Sequence, residues 1–112
     1  MGTQVTGLIS AAVTITTAGT RVPLSATSVL CSRLVIRTPA SGNTGLVYVG
    51  GSNVSSSNGY QLPAGGGTGG TVEFDSVMLG HAGEEIDLSQ VYLDADTNGN
   101  SVRILYDKKY SS

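Results

Sequence analysis

The amino-acid sequence predicts an all-β chain, a small β-sandwich of jelly-roll-like type with about seven or eight short strands. Two observations carry this. Apolar and polar residues alternate with period two in one segment after another, separated by clusters of Gly, Pro, Asn and Ser. No segment sustains apolar residues at three- and four-residue spacing, and the 16 glycines and many β-branched residues oppose helix.

In chain order, residues 1 to about 11 are weakly patterned and predict an N-terminal arm, with a flexible arm reaching a neighbouring subunit as one form of it. Residues 12–112 are then a single sandwich domain. Val13-Thr14-Ile15-Thr16 places Val and Ile on one face and Thr on the other, a half-buried strand. Residues 20–24 continue or pair with it, and Pro23 argues for an edge. Residues 29–38 form a longer apolar strand, closed by the turn Pro39-Ala40-Ser41-Gly42-Asn43. Gly45-Leu46-Val47-Tyr48-Val49-Gly50 is β-branched and aromatic and reads as strand. Residues 71–75 alternate again, and one helical turn fits residues 76–79. Residues 90–94 and 101–106 form the last strand pair, with Asn98-Gly99 between them as a hairpin signal. Val47-Tyr48-Val49 and Val91-Tyr92-Leu93 echo one another, as if the two strands held similar places in the two sheets.

Composition narrows the function classes. The chain has 112 residues, 39% of them hydrophobic and 12% charged, against about 25% charged in a typical soluble domain. Ser, Thr, Gly and Asn replace the missing charge. The net charge of -2 and the scattered Lys and Arg, 6 in all, leave no basic face for phosphate, so no nucleic-acid partner is expected. No apolar run approaches the roughly 18 residues of a membrane helix, and the N-terminus lacks the marks of a signal peptide, so synthesis in the cytoplasm without membrane association is expected. Cys31 is the only cysteine and fits a buried small side chain.

Each motif with chemical content is incomplete. Asp94, Asp96 and Asn98, followed by Gly99, match the opening of a calcium loop, where oxygens at alternate positions converge on the ion. The position that should supply a bidentate Glu is Leu105, so these three residues are at most a candidate metal set, and the alternative is a polar hairpin turn. Gly65-Gly66-Gly67-Thr68-Gly69-Gly70 satisfies a dinucleotide fingerprint only formally, because a strand-like segment follows it instead of a helix. His81 lies near Glu84 and Glu85, but a lone His among glycines reads as a loop residue. No nucleophile elbow singles out a serine. The expectation is therefore a non-enzyme with no catalytic residues and no cofactor. Tyr48, Tyr60, Tyr92, Tyr106 and Tyr110 are the interface candidates, because Tyr buries a ring while keeping a polar tip.

Residues 45–59 (GLVYVGGSNVSSSNG), Gln61-Leu62-Pro63-Ala64-Gly65, Val91-Tyr92-Leu93-Asp94-Ala95-Asp96-Thr97-Asn98-Gly99 and Val102-Arg103-Ile104-Leu105-Tyr106 resemble, in the same order, segments of small structural proteins of tailed bacteriophages. Residues 13–22 look like the opening of those proteins, so the resemblance spans roughly residues 13–106. It implies a virion component without catalytic residues, of the decoration or cement type, that sits as a homotrimer on the capsid surface and stabilises a shell of major capsid protein. The segment 76–87 looks longer than the resemblance implies. The alternatives are a tail, neck or fibre-associated virion module, and a host-surface carbohydrate-binding module. The absence of Trp weighs against the last.

Overall fold

A computed structural model describes the backbone of residues 4–65, 70–75 and 86–111, with side chains for 7–65, 70–73 and 86–107. Nine strands run in chain order: β1 (Gln4–Thr14), β2 (Val22–Pro23), β3 (Leu30–Arg37), β4 (Leu46–Gly50), β5 (Tyr60–Pro63), β6 (Thr71–Asp75), β7 (Ile86–Asp87), β8 (Tyr92–Ala95) and β9 (Ser101–Ser111). A 3-10 turn over Leu88–Gln90 is the one helical element among the described residues. The expected helical turn at 76–79 lies outside them, as do His81, Glu84, Glu85 and the central glycines of the 65–70 run.

The strands form two antiparallel sheets. One has the order β1-β9-β3-β6, with β7 pairing an end of β3, and the other has the order β2-β8-β4-β5. With β7 set aside, the pairing is nested: β4 with β5, β3 with β6, β2 with β8, β1 with β9. A long hairpin rolled so that successive pairs alternate between two sheets gives this order, which is the jelly roll. Pro23 lies on an edge strand, as expected, since β2 closes one side of its sheet.

The core follows from the period-two pattern. Leu34 and Ile36 of β3, Val72 of β6, and Val102 and Ile104 of β9 point inward to meet Val47, Val49, Leu62, Leu93 and Ala95 of the other sheet. Each fully buried Leu or Ile contributes about 1.5–3 kcal/mol by leaving water. Cys31 is buried in the same cluster. Among the described residues, Thr38, Asp94 and Asn100 are the buried polar ones. Thr38 donates from Oγ1 to the Pro63 carbonyl (2.7 Å), and Asn100 exchanges two hydrogen bonds with the Thr44 backbone.

Four sequence expectations are corrected. Residues 4–11 are not a separate arm: they are the first part of β1, in unbroken register with β9 from Gln4↔Ser111 to Thr14↔Ser101. Backbone bonding holds this strand, which is why its side chains carry so weak a pattern. Residues 20–24 do not pair with β1, because β2 belongs to the opposite sheet. Asn98-Gly99 does not close a hairpin, because β8 and β9 lie in different sheets. The turn chemistry is real, with Gly99 at φ +85°, but it turns the chain across the sandwich instead of back along one sheet. Similarly, β4 and β8, which carry the Val-Tyr echo, are neighbours in one sheet.

Candidate functional site

The Asp94-Ala95-Asp96-Thr97-Asn98 stretch leaves the end of β8 and enters the crossing to β9. Its acceptors diverge. Asp94 Oδ1 accepts from the backbone N–H of Gly19 and of Ala95, both at 2.8 Å. Asp96 Oδ2 accepts from Leu46 N–H (3.0 Å), and Oδ1 accepts from the Tyr48 hydroxyl (2.7 Å). Asn98 Oδ1 accepts from Ala18 N–H (2.8 Å). The three side chains therefore brace two neighbouring segments, the turn between β1 and β2 and the start of β4. The positive φ of Gly19, +87°, is where that turn reverses. Among the described residues no group of three or more His, Cys, Asp or Glu side chains is placed to hold a metal ion.

The Tyr48–Asp96 bond is the most polarised contact of this brace. Donation from Tyr48, then from Leu46 N–H, holds the Asp96 carboxyl below the usual carboxylate range. The same bond, with burial and the negative charges of Asp96 and Asp94, raises the Tyr48 phenol above its ordinary value. The phenol is thus held protonated as a donor.

Tyr48 is also the interface candidate that the structure corrects. It is 4% exposed. Its neighbours Val47 and Val49 face the core, so Tyr48 points to the outer side of its sheet, where residues 54–59 cover it. Gly59 fits there because it has no side chain: a Cβ would overlap Tyr48 Cβ and lie 3.0 Å from both the Ser55 carbonyl oxygen and Val54 Cγ2. The other tyrosines are dispersed. Tyr60 is 59% exposed on edge strand β5. Tyr92 is half-buried opposite Pro23 and Gly50, and Tyr106 packs against the core. Tyr110 pairs through its backbone with Val5, and its side chain lies outside the described set. No single patch gathers them.

Two further carboxylates act as fasteners that the sequence did not flag. Asp87 accepts from Ser28 Oγ (2.7 Å), Ser89 Oγ (2.8 Å) and Ser89 N–H (3.0 Å), which caps the 3-10 turn and lowers its pKa. Asp107 sits where the β3–β9 register shifts between Cys31 and Leu34. It accepts from the N–H groups of Ser32 (3.0 Å) and Arg33 (2.8 Å) and from Ser32 Oγ, filling the hydrogen bonds that the bulge leaves open. Burial alone would raise the Asp107 pKa, but these donors outweigh it and the carboxyl titrates low. The signal for such fasteners is contact at a sequence separation of 75 residues, which no local pattern carries.

An apolar cleft of about 270 Å³ opens beside the 3-10 turn, lined by Val49, Gly50, Gly51, Ile86, Gln90 and Val91, with Asp87 at its rim. The Asp87 carboxylate is already held by Ser28 and Ser89, so among the described residues the cleft gathers no acid, base or nucleophile set. Compared with models of known protein families and with curated proteins, the chain matches none. No helix among the described residues is long and apolar enough to cross a membrane.

Proposed function

We propose that this chain is a non-enzymatic virion protein of a tailed bacteriophage, a decoration or cement subunit that assembles as copies on the capsid surface and stabilises the shell of major capsid protein. The observation that carries the reading is the nested jelly-roll pairing in a chain whose acidic side chains fasten its own loops. Jelly rolls recur in capsid and lectin domains. A fold alone does not fix a function, and the ordered resemblance of residues 13–106 to phage structural proteins favours the capsid side of that choice. A subunit that binds only the assembled shell stabilises it by mass action, and low net charge, -2, lets many copies crowd one surface with little repulsion.

The test compares purified particles made with and without this chain. Particles lacking it should lose their DNA at lower temperature and in low salt. Equal resistance of the two preparations rules out the cement role. Copy number per particle separates the shell from the tail: a shell subunit is present in hundreds, and a tail, neck or fibre module in about a dozen or fewer by symmetry.

A further inference from the structure

The two sheets have four edges, and three are protected against pairing with another chain. β2 is 2 residues long and includes Pro23. β5 is 4 residues long and ends in Pro63. β6 is 5 residues long and carries Glu73 and Asp75. Short length, proline and charge are the usual means of blunting an edge. β1 has none of them. It is an 11-residue edge, QVTGLISAAVT, without a charged residue or proline, and its register with β9 is unbroken. Its Leu8 is 73% exposed.

We propose that the free edge of β1 pairs antiparallel with β1 of a second copy of this chain, about a two-fold axis at Ile9, joining the five-stranded sheets of the two copies into one continuous sheet. The hydrogen-bond direction along β1 sets the register. Ile15 N–H donates to the Asn100 carbonyl at 2.8 Å, toward the β9 side. Alternation then turns the backbone groups of Ala11 and Ile9 inward to β9 and those of Thr14, Ala12, Ser10 and Leu8 outward to the free edge. Full overlap of Gln4–Thr14 with its copy sets Ser10 opposite Leu8 of the second copy and Ala12 opposite Thr6. All of these are outward-bonding positions, so the ladder closes.

The same register places the exposed leucines together. Within one chain Val35, Leu105 and Ser10 lie side by side across β3, β9 and β1. Pairing adds Leu8 of the second copy to that row, next to the small Ser10. Leu8 and Leu105, 73% and 42% exposed, thereby enter one apolar row on each side of the axis. No charge lies in β1 to oppose its copy. A second copy also fits better than a head-to-tail ring, which would have to set β1 against the acidic edge of β6. The contact is two-fold, and in solution it replaces the three-fold association that the phage resemblance implies.

The pairing is independent of the virion reading, because it is tested on the purified chain alone. Light scattering behind size exclusion, at tens to hundreds of micromolar protein, should give twice the chain mass. Ser10→Pro removes an outward N–H and leaves the β9 ladder intact, so it should halve the mass while circular dichroism and melting at low concentration stay unchanged. If Ser10→Pro misfolds, Leu8→Lys keeps every backbone donor and should also give the single-chain mass. A wild-type monomer, a trimer, or a folded variant that keeps the dimer mass would each overturn the proposal.

Discussion

The two sheets present the same kind of inner face to the core but different outer faces to their surroundings. On the β2-β8-β4-β5 sheet, Tyr48 and Asp94 lie on the outer side at 4% and 5% exposure, covered by residues 54–59 and by the turn at Gly19. On the β1-β9-β3-β6 sheet, Leu8, Leu105, Arg37 and Arg103 stand in the open. There Arg37 and Arg103 are direct cross-strand partners, a like-charge pairing that disfavours the isolated sheet. The difference separates two uses of a sheet surface. A face roofed by the chain's own loops is structural, and a bare face with exposed leucines is available to other molecules.

The roof should break first. Gly59→Ala forces a methyl group into Tyr48 and Ser55 and should cost about 1–3 kcal/mol, as overpacking does. Gly51→Ala meets nothing closer than Asn53 Oδ1 at 3.8 Å and should be near neutral in the same urea titration. Equal midpoints for the two variants would show that the roof is loosely held.

Acid should then sharpen the contrast. Asp96, Asp87 and Asp107 all titrate below their ordinary values in the fold. Their contribution to stability is complete above the unfolded carboxylate pKa of about 3.9. It is lost as pH falls from there through the lower folded values. Urea midpoints should therefore be flat from pH 6 to 5 and drop steeply below pH 4. Tyr48→Phe removes the largest cause of the Asp96 shift and should make that drop shallower. An unchanged slope would mean that the brace contributes nothing to the acid limb.

The smallest effect belongs to the bare face. Arg33 and Glu73 form an ion pair at 3.6 Å, with side chains 68% and 63% exposed. A double-mutant cycle with Arg33→Ala and Glu73→Ala should give a coupling of about 0.2–1 kcal/mol that fades with added salt. A larger, salt-insensitive coupling would mean that this face is covered in solution.

The elements legible in the sequence are those whose side chains report their own environment. β3 and β9 alternate between core and surface, β4 alternates β-branched with aromatic residues, and the sandwich follows from these patterns. The first part of β1 reads as an arm because Gly7, Ser10 and Ala11 bury little, and its strand depends on the backbone of β9. Asn98-Gly99 was read as a hairpin because turn chemistry is local, whereas the choice of partner strand is decided by the nesting of the whole chain. At the candidate site the spacing of Asp94, Asp96 and Asn98 suggests a cation loop or a polar hairpin turn, and the three side chains instead accept from backbone N–H groups of distant segments. The N–H groups that donate to them, those of Gly19, Leu46 and Ala18, lie 75, 50 and 80 residues away, beyond any window in which spacing is informative.

Nesting also sets a timetable. Gln4 pairs with Ser111, so the outermost strand pair joins the first and the last of the described strands. During synthesis β4 and β5 can meet as soon as both have emerged, but β1 must wait until β9 leaves the ribosome. Contacts of such long sequence separation close slowly, and the uncharged β1 is the strand that waits longest with both of its edges open. Newly made copies are then at their most adhesive before β9 arrives, and the rate at which translation delivers β9 becomes a determinant of the yield of folded subunits.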